Sequence, residues 1–237
     1  MISPRMVELP EAEAVEMAQP VPAWGLAKRV LFRFAFAYLL LYNLPFPLSV
    51  VPFINKPFEA FWNAVVPWVG KLTFGLDVTV RPNGSGDTTY NYLQVLCFLI
   101  LAVAATAVWS LLDHRRREYS RLWEVLRIYL ALVVGTTMLS YGAYKVIPSQ
   151  FPAPMLSTLL EPYGSASPMG ILWTFMGASA AYTIFGGASE MLGGFLIVFR
   201  RTALLGALIC AGVLTNVVML NMSYDVPVKL YSMHLLA

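Results

Sequence analysis

Apolar residues in this chain fall in long runs rather than in the three- and four-residue rhythm of a helix that is wet on one side. Five runs reach the roughly 20 residues that a helix needs to cross about 30 Å of hydrocarbon. They lie at about 30–53, 93–112, 126–146, 169–199 and 202–222. Pro45, Pro47 and Pro52 should end or kink the first near Leu44. The fourth would make about 46 Å of helix, so it is expected either to tilt strongly or to break at Gly186-Gly187. A sixth run starts at Val226, and its residues to Ala237 make about 18 Å of helix, too little to cross. The expected fold is therefore an all-α membrane protein, a polytopic helical bundle of five complete transmembrane helices plus the start of a sixth.

Two stretches between the runs differ. Residues 57–75 are apolar and aromatic but interrupted by Glu59, Pro67 and Lys71, which predicts an interfacial helix with Trp62 and Trp68 at headgroup depth. Residues 78–88 carry turn chemistry around a short extended piece.

The loop charges orient the bundle. Lys28, Arg29 and Arg33 precede or open the first run; Arg115, Arg116, Arg117 and Arg121 lie between the second and third; Arg200 and Arg201 lie between the fourth and fifth. The other connections are acidic or balanced, with Lys56, Lys71 and Arg81 set against Glu59, Asp77 and Asp87, and Glu161 alone in 147–168. Basic residues thus mark every second connection, which places the N-terminus in the cytoplasm.

Composition supports the same class. Of 237 residues, 58% are hydrophobic and 12% charged, against about 25% charged in soluble domains, and mean hydropathy is +0.66. A soluble core of this size could not hide so much apolar surface. The formal charge of +3 gives no reason to expect nucleic acid. Cys97 and Cys210 sit in apolar runs without CxxC spacing and read as buried free thiols. Residues 1–20, with Glu8, Glu11, Glu13 and Glu16, do not resemble a secretory leader. Residues 1–25 are expected to form a polar, disordered cytoplasmic tail.

Candidate chemistry is sparse. Motifs for nucleophilic hydrolysis, nucleotide binding and zinc proteolysis are absent, and two histidines, His114 and His234, stand at no metal-ligand spacing. No catalytic residue and no metal site is expected, and the residues themselves reveal no cofactor. His114 reads as solvated among the arginines. Glu190 is the informative polar residue, because an acid inside a span is expensive unless it finds a partner or a task. Two readings stand: an acid hydrogen-bonded between helices to lock the bundle, or a proton- or ligand-responsive acid in an inner cavity. Its helical face holds Thr183, Gly186, Gly187 and Gly194, small residues that let a neighbouring helix approach closely.

A second group gathers at the outer ends of the runs. It comprises Tyr141, Lys145, Gln150, Asn221, Asp225 and Lys229. The topology brings them to one membrane face, either as a shallow polar pocket with Lys145 and Asp225 as an ion pair, or as an interfacial salt bridge alone. Arg127, at the cytoplasmic start of the third run, can snorkel to anionic headgroups.

Several motifs carry a family resemblance. Arg127 leads a helix to YGAYK at 141–145; Glu190 is followed by Gly193-Gly194; Arg200-Arg201-Thr202 opens the next helix. The segments GSGDTTY at 84–90, SPM at 167–169, WTFMG at 173–177 and NMSYDVPVKL at 221–230 accompany them. In their order and spacing these resemble the DoxX-like family of small bacterial membrane proteins, in a larger subgroup. The resemblance implies a four-helix membrane core over 127–237, with 26–126 as an N-terminal extension of two transmembrane helices and an outer loop. Family members usually continue past the point matching Ala237, so the last core helix is expected to be truncated. It further implies a multi-pass protein of the cytoplasmic membrane, whose partners are the lipid bilayer and membrane-associated proteins. The family's name comes from a subunit of a thiosulfate:quinone oxidoreductase. The first expectation is a non-catalytic membrane subunit or scaffold, possible in a redox complex. A quinone-linked oxidoreductase component using Glu190, Tyr141 and Tyr182 is the alternative, and a small transporter ranks after it.

Overall fold

The computed structural model describes residues 23–48, 51–80, 85–147 and 149–237. Most of the expected tail, and Arg81 to Gly84 in the outer loop, lie outside the described residues.

The described chain is all-helical and, among the described residues, has no strand. The longer helices are α1 (Leu26–Asn43), α2 (Pro52–Phe74), α3 (Thr89–Leu112) and α4 (Ser120–Val146). A short α5 (Leu156–Leu159) and a 3₁₀ turn (Tyr163–Ser165) lead to α6 (Pro168–Ala178). Then come α7 (Ala180–Val198), α8 (Ala203–Ser223) and α9 (Lys229–Leu236). Four of these, α3, α4, α7 and α8, are long and apolar enough to cross a membrane. The first expected crossing is represented by α1, whose 18 residues include Lys28, Arg29 and Arg33 and which is not one of those four. It ends where the prolines predict, with Leu44 already extended at ψ 144°.

The tightest pairing is α4 against α7, and glycine explains it. A methyl group on Gly142 would lie 2.5 Å from the Gly187 carbonyl oxygen, and one on Gly187 would lie 2.6 Å from that of Gly142. One heptad toward the other end, Gly135 and Gly194 repeat the arrangement at 2.9 and 2.8 Å. The two backbones therefore touch, as small residues permit inside a bilayer. On its other side α7 packs on α8, with Gly193 against Cys210.

The fourth expected span is indeed interrupted, but at Ser179 instead of Gly186-Gly187. Ser179 is extended (φ −129°, ψ 94°), and its hydroxyl accepts a hydrogen bond from the Tyr182 N–H at 3.3 Å, capping α7. Across the break the Thr183 hydroxyl donates to the Met176 carbonyl at 2.6 Å. Two backbone groups at the break, the Tyr182 N–H and the Met176 carbonyl, thus find side-chain partners, as a broken helix in apolar surroundings needs. Gly186 and Gly187 stay helical because Gly187 is the contact with α4.

In the N-terminal half, α1 and α2 pack on α3. Trp62 is a correction: it is buried, with its ring 4.8 Å from that of Phe98, in a core with Val66, Leu93 and Cys97. Trp68 is 63% exposed. The described parts of 78–88 form no strand. Arg33, read from sequence as an orienting charge, is buried at 2% exposure. Its guanidinium donates to the Tyr119 hydroxyl (2.9 and 2.7 Å), the Ser110 hydroxyl (2.8 Å) and the Asp113 carbonyl (2.8 Å). The Tyr119 hydroxyl in turn donates a hydrogen bond to the Asp113 carboxylate at 3.0 Å. This is a closed network, of the kind a buried charge requires.

Candidate binding site in the helical bundle

The glycine contact between α4 and α7 sets the register of the polar residues beside it. Lys145 lies one turn beyond Gly142 on α4, with its Cβ 2.7 Å from where a Gly187 Cβ would be. Glu190 lies one turn beyond Gly187 on α7. The Lys145 ammonium consequently donates to Glu190 Oε1. Both side chains are buried, 11% and 4% exposed, so neither charge could be left alone cheaply.

This pair forms part of the wall of a cavity of about 550 Å³ enclosed by α4, α6, α7, α8 and α9. Phe151, Leu172, Trp173 and Met176 supply apolar wall, while Gln150, Asn221 and Ser232 add polar atoms. Asn221 donates to the Ser232 hydroxyl at 3.0 Å, which donates to the Lys229 carbonyl at 3.0 Å. Tyr141 and Tyr231 face each other across the cavity edge, ring centroids 6.4 Å apart. Glu190 Oε2 is buried and has no hydrogen-bond partner among the described residues. The volume and the mostly apolar lining with a few convergent polar groups are those of a small-molecule site.

Of the sequence candidates, Glu190, Tyr141, Lys145 and Asn221 line this cavity, as does Gln150. Asp225 and Lys229 do not. The expected Lys145–Asp225 ion pair is replaced by two others: Lys145 with Glu190, and Lys229 with Asp225 at 2.7 Å. Helix register is the reason, because it places Lys145 on the α7 side, while Asp225 sits on the turn after α8 with its side chain 82% exposed. Arg127 makes a bidentate contact with Glu124 (3.0 and 2.7 Å), which a headgroup-only reading had missed.

Three residues were not singled out for the roles they hold. Asp87 accepts from the backbone N–H groups of Lys229 (2.7 Å) and Leu230 (2.9 Å), capping α9 from the outer loop. His234 stacks on Tyr42 with centroids 3.9 Å apart. A tautomer protonated at Nδ1 satisfies both its bonds, donating to the Leu230 carbonyl (2.7 Å) and accepting the Tyr38 hydroxyl at Nε2 (2.6 Å). Arg33 has been described above. For Asp87 the only sequence signal was its place in GSGDTTY; for the others there was none, since the side chains that hold them are 77 or more residues away.

Fold and site together define an all-helical protein with four helices able to cross a membrane and a mostly apolar cavity beside a buried ion pair. No protein-family model matches the chain, and no solved structure matches it. Over 91 residues it is 35% identical to the uncharacterized protein YwoB of Bacillus subtilis (strain 168), a stretch covering 38% of this chain and 56% of that protein. The chain thus spans little more than half the length of this curated relative.

Proposed function

We propose that this is an integral protein of a bacterial cytoplasmic membrane, DoxX-like in type, with five complete crossings, the start of a sixth and a cytoplasmic N-terminus. In this reading it is a subunit without catalysis of its own, which holds a quinone for a membrane-associated redox partner. The cavity carries the proposal. It has room for a substituted ring, the aromatic walls of Trp173 and Tyr182 suit one, and Lys145, Gln150 and Asn221 supply polar contacts. A bound quinone would supply the electron chemistry; the chain's own residues bind its ring and exclude water. Purification from native membranes in mild detergent tests this, with quinone extraction and partner identification on the same sample. A co-purifying redox protein and extractable quinone are expected. A lone monomer without quinone, together with unchanged respiration on deletion, would refute it.

The break at Ser179, beside the cavity, favours a second reading as a small transporter, since discontinuous helices line transport sites. Solute flux in proteoliposomes separates the two.

A further inference from the structure

Two cavity-lining acceptors, Gln150 Oε1 and Glu190 Oε2, lack a hydrogen-bond partner among the described residues, and of the two only the Glu190 oxygen belongs to a charged group with no amide donor of its own. Glu190 is 3% exposed, its Oε1 holds the Lys145 ammonium, and its Oε2 is buried without a partner. A carboxylate paired in this way accepts hydrogen bonds and donates none. An orphaned acceptor of this kind costs stability until a donor reaches it. Whatever fills the cavity is placed to bring that donor.

The cavity's mouth indicates the route. Tyr182 and Phe185 on α7 line the cavity and are also 46% and 69% exposed. Gly212 and Asn216 on α8 do the same. All four belong to helices that are apolar enough to span a membrane, so the opening faces sideways, to where lipid chains would lie. Charge narrows the head further. A cationic head would be set against Lys145 and an anionic one against Glu190, whereas an uncharged hydroxyl meets neither repulsion.

We propose that the cavity takes an uncharged, long-chain amphiphile that enters between α7 and α8 and whose hydroxyl donates to Glu190 Oε2. This rests on the cavity being the ligand site and specifies the head it selects. A hydroquinone or other phenol qualifies, as does an aliphatic alcohol; a quinone, which only accepts, leaves Oε2 unsatisfied.

The test is equilibrium binding to the full chain in lipid nanodiscs, with para-dodecylphenol and its methyl ether as probes. The ether lacks the donor and carries one added methyl group, so the comparison needs no variant of Glu190 that might misfold. A hydrogen bond to a charged acceptor predicts at least about tenfold tighter binding of the phenol. Dodecanol separates the sources: matching the phenol it assigns an aliphatic head, and falling tenfold short it assigns an aromatic one. Gly186→Leu supplies the location. A Cβ at Gly186 meets nothing within 4 Å, and the residue lines the cavity, so the leucine occupies ligand space without straining α7. Loss of phenol binding without a lowered unfolding midpoint is expected. Equal affinities for phenol and ether, or undiminished binding to Gly186→Leu, would overturn the proposal. A dodecyl benzoquinone that binds where the phenol does not would overturn the hydroxyl assignment and leave the quinone reading standing. Failure of every probe would remove both.

Discussion

Removing either member of the Lys145–Glu190 pair should destabilise the bundle severely, and removing both should not. The two side chains are 11% and 4% exposed, so Lys145→Met strands a buried carboxylate and Glu190→Leu strands a buried ammonium. Breaking a buried pair from one side costs about 3–5 kcal/mol, whereas replacing both partners with apolar residues of similar size is often neutral or stabilising. At 1.36 kcal/mol per decade, each single variant should lower the folded-to-unfolded ratio by about two to four orders of magnitude. Lys145→Met/Glu190→Leu should recover most of that loss.

Reversible unfolding in mixed micelles, followed by helical signal, measures all four corners of this double-mutant cycle. Asp225→Asn is the control: its carboxylate is 82% exposed, so it should cost no more than about 1 kcal/mol. Single-variant effects that add to the double-variant value within about 0.5 kcal/mol would show that the pair is uncoupled. A large effect of Asp225→Asn, rescued by a change at Lys145, would restore the pairing that helix register argues against.

Three further outcomes follow from the contacts. Gly187→Leu should cost about 1–3 kcal/mol by overpacking, because its Cβ position lies 2.6 Å from the Gly142 carbonyl oxygen; Gly186→Ala, one residue away, should be neutral or gain up to about 1 kcal/mol of helix propensity, and the same unfolding assay compares them. Asp87→Ala removes both caps from α9 and should cost about 0.5–2 kcal/mol, with faster amide exchange at Lys229 and Leu230 as the local readout. Arg33→Lys loses the planar fork that reaches Tyr119, Ser110 and Asp113 together; a drop of about 1.5–3 kcal/mol is expected, and a melting temperature equal to the native chain's would show that the network is not structural.

The helical class was legible because a bilayer leaves the chain little choice: backbone groups must pair internally, so spans declare themselves as apolar runs. Leu44 as the end of the first helix was equally plain, since proline removes the donor that would continue it. What sequence could not reveal was register between helices. Lys145 and Glu190 are 45 residues apart, and only the Gly142–Gly187 contact puts them on facing turns. The break in the fourth run went to Ser179 because a cap consists of one hydroxyl and one extended residue, a signal far weaker than a double glycine. Those glycines served close approach instead of bending. Trp62 was misplaced for a related reason: an aromatic residue in an apolar run interrupted by Glu59, Pro67 and Lys71 looks the same whether its ring meets headgroups or Phe98.

The wall of the cavity has an unexpected dependence. α9 contributes Tyr231 and Ser232 to the lining, yet at 8 residues it is too short to be stable alone. Beyond its packing on α8, it is anchored near both ends by the first half of the chain. Asp87 caps its N-terminus, and Tyr38 and Tyr42 grip His234 near its other end. Within the bundle, α9 packs on α8 and bonds through Asn221 to Ser232. The N-terminal helices are therefore not a separable appendage to a bundle that holds the site. They position one side of it, so a fragment beginning near Arg127 should lose the Asn221–Ser232 side of the cavity while keeping the Lys145–Glu190 side, where α4 and α7 hold each other through close glycine contacts and the buried ion pair.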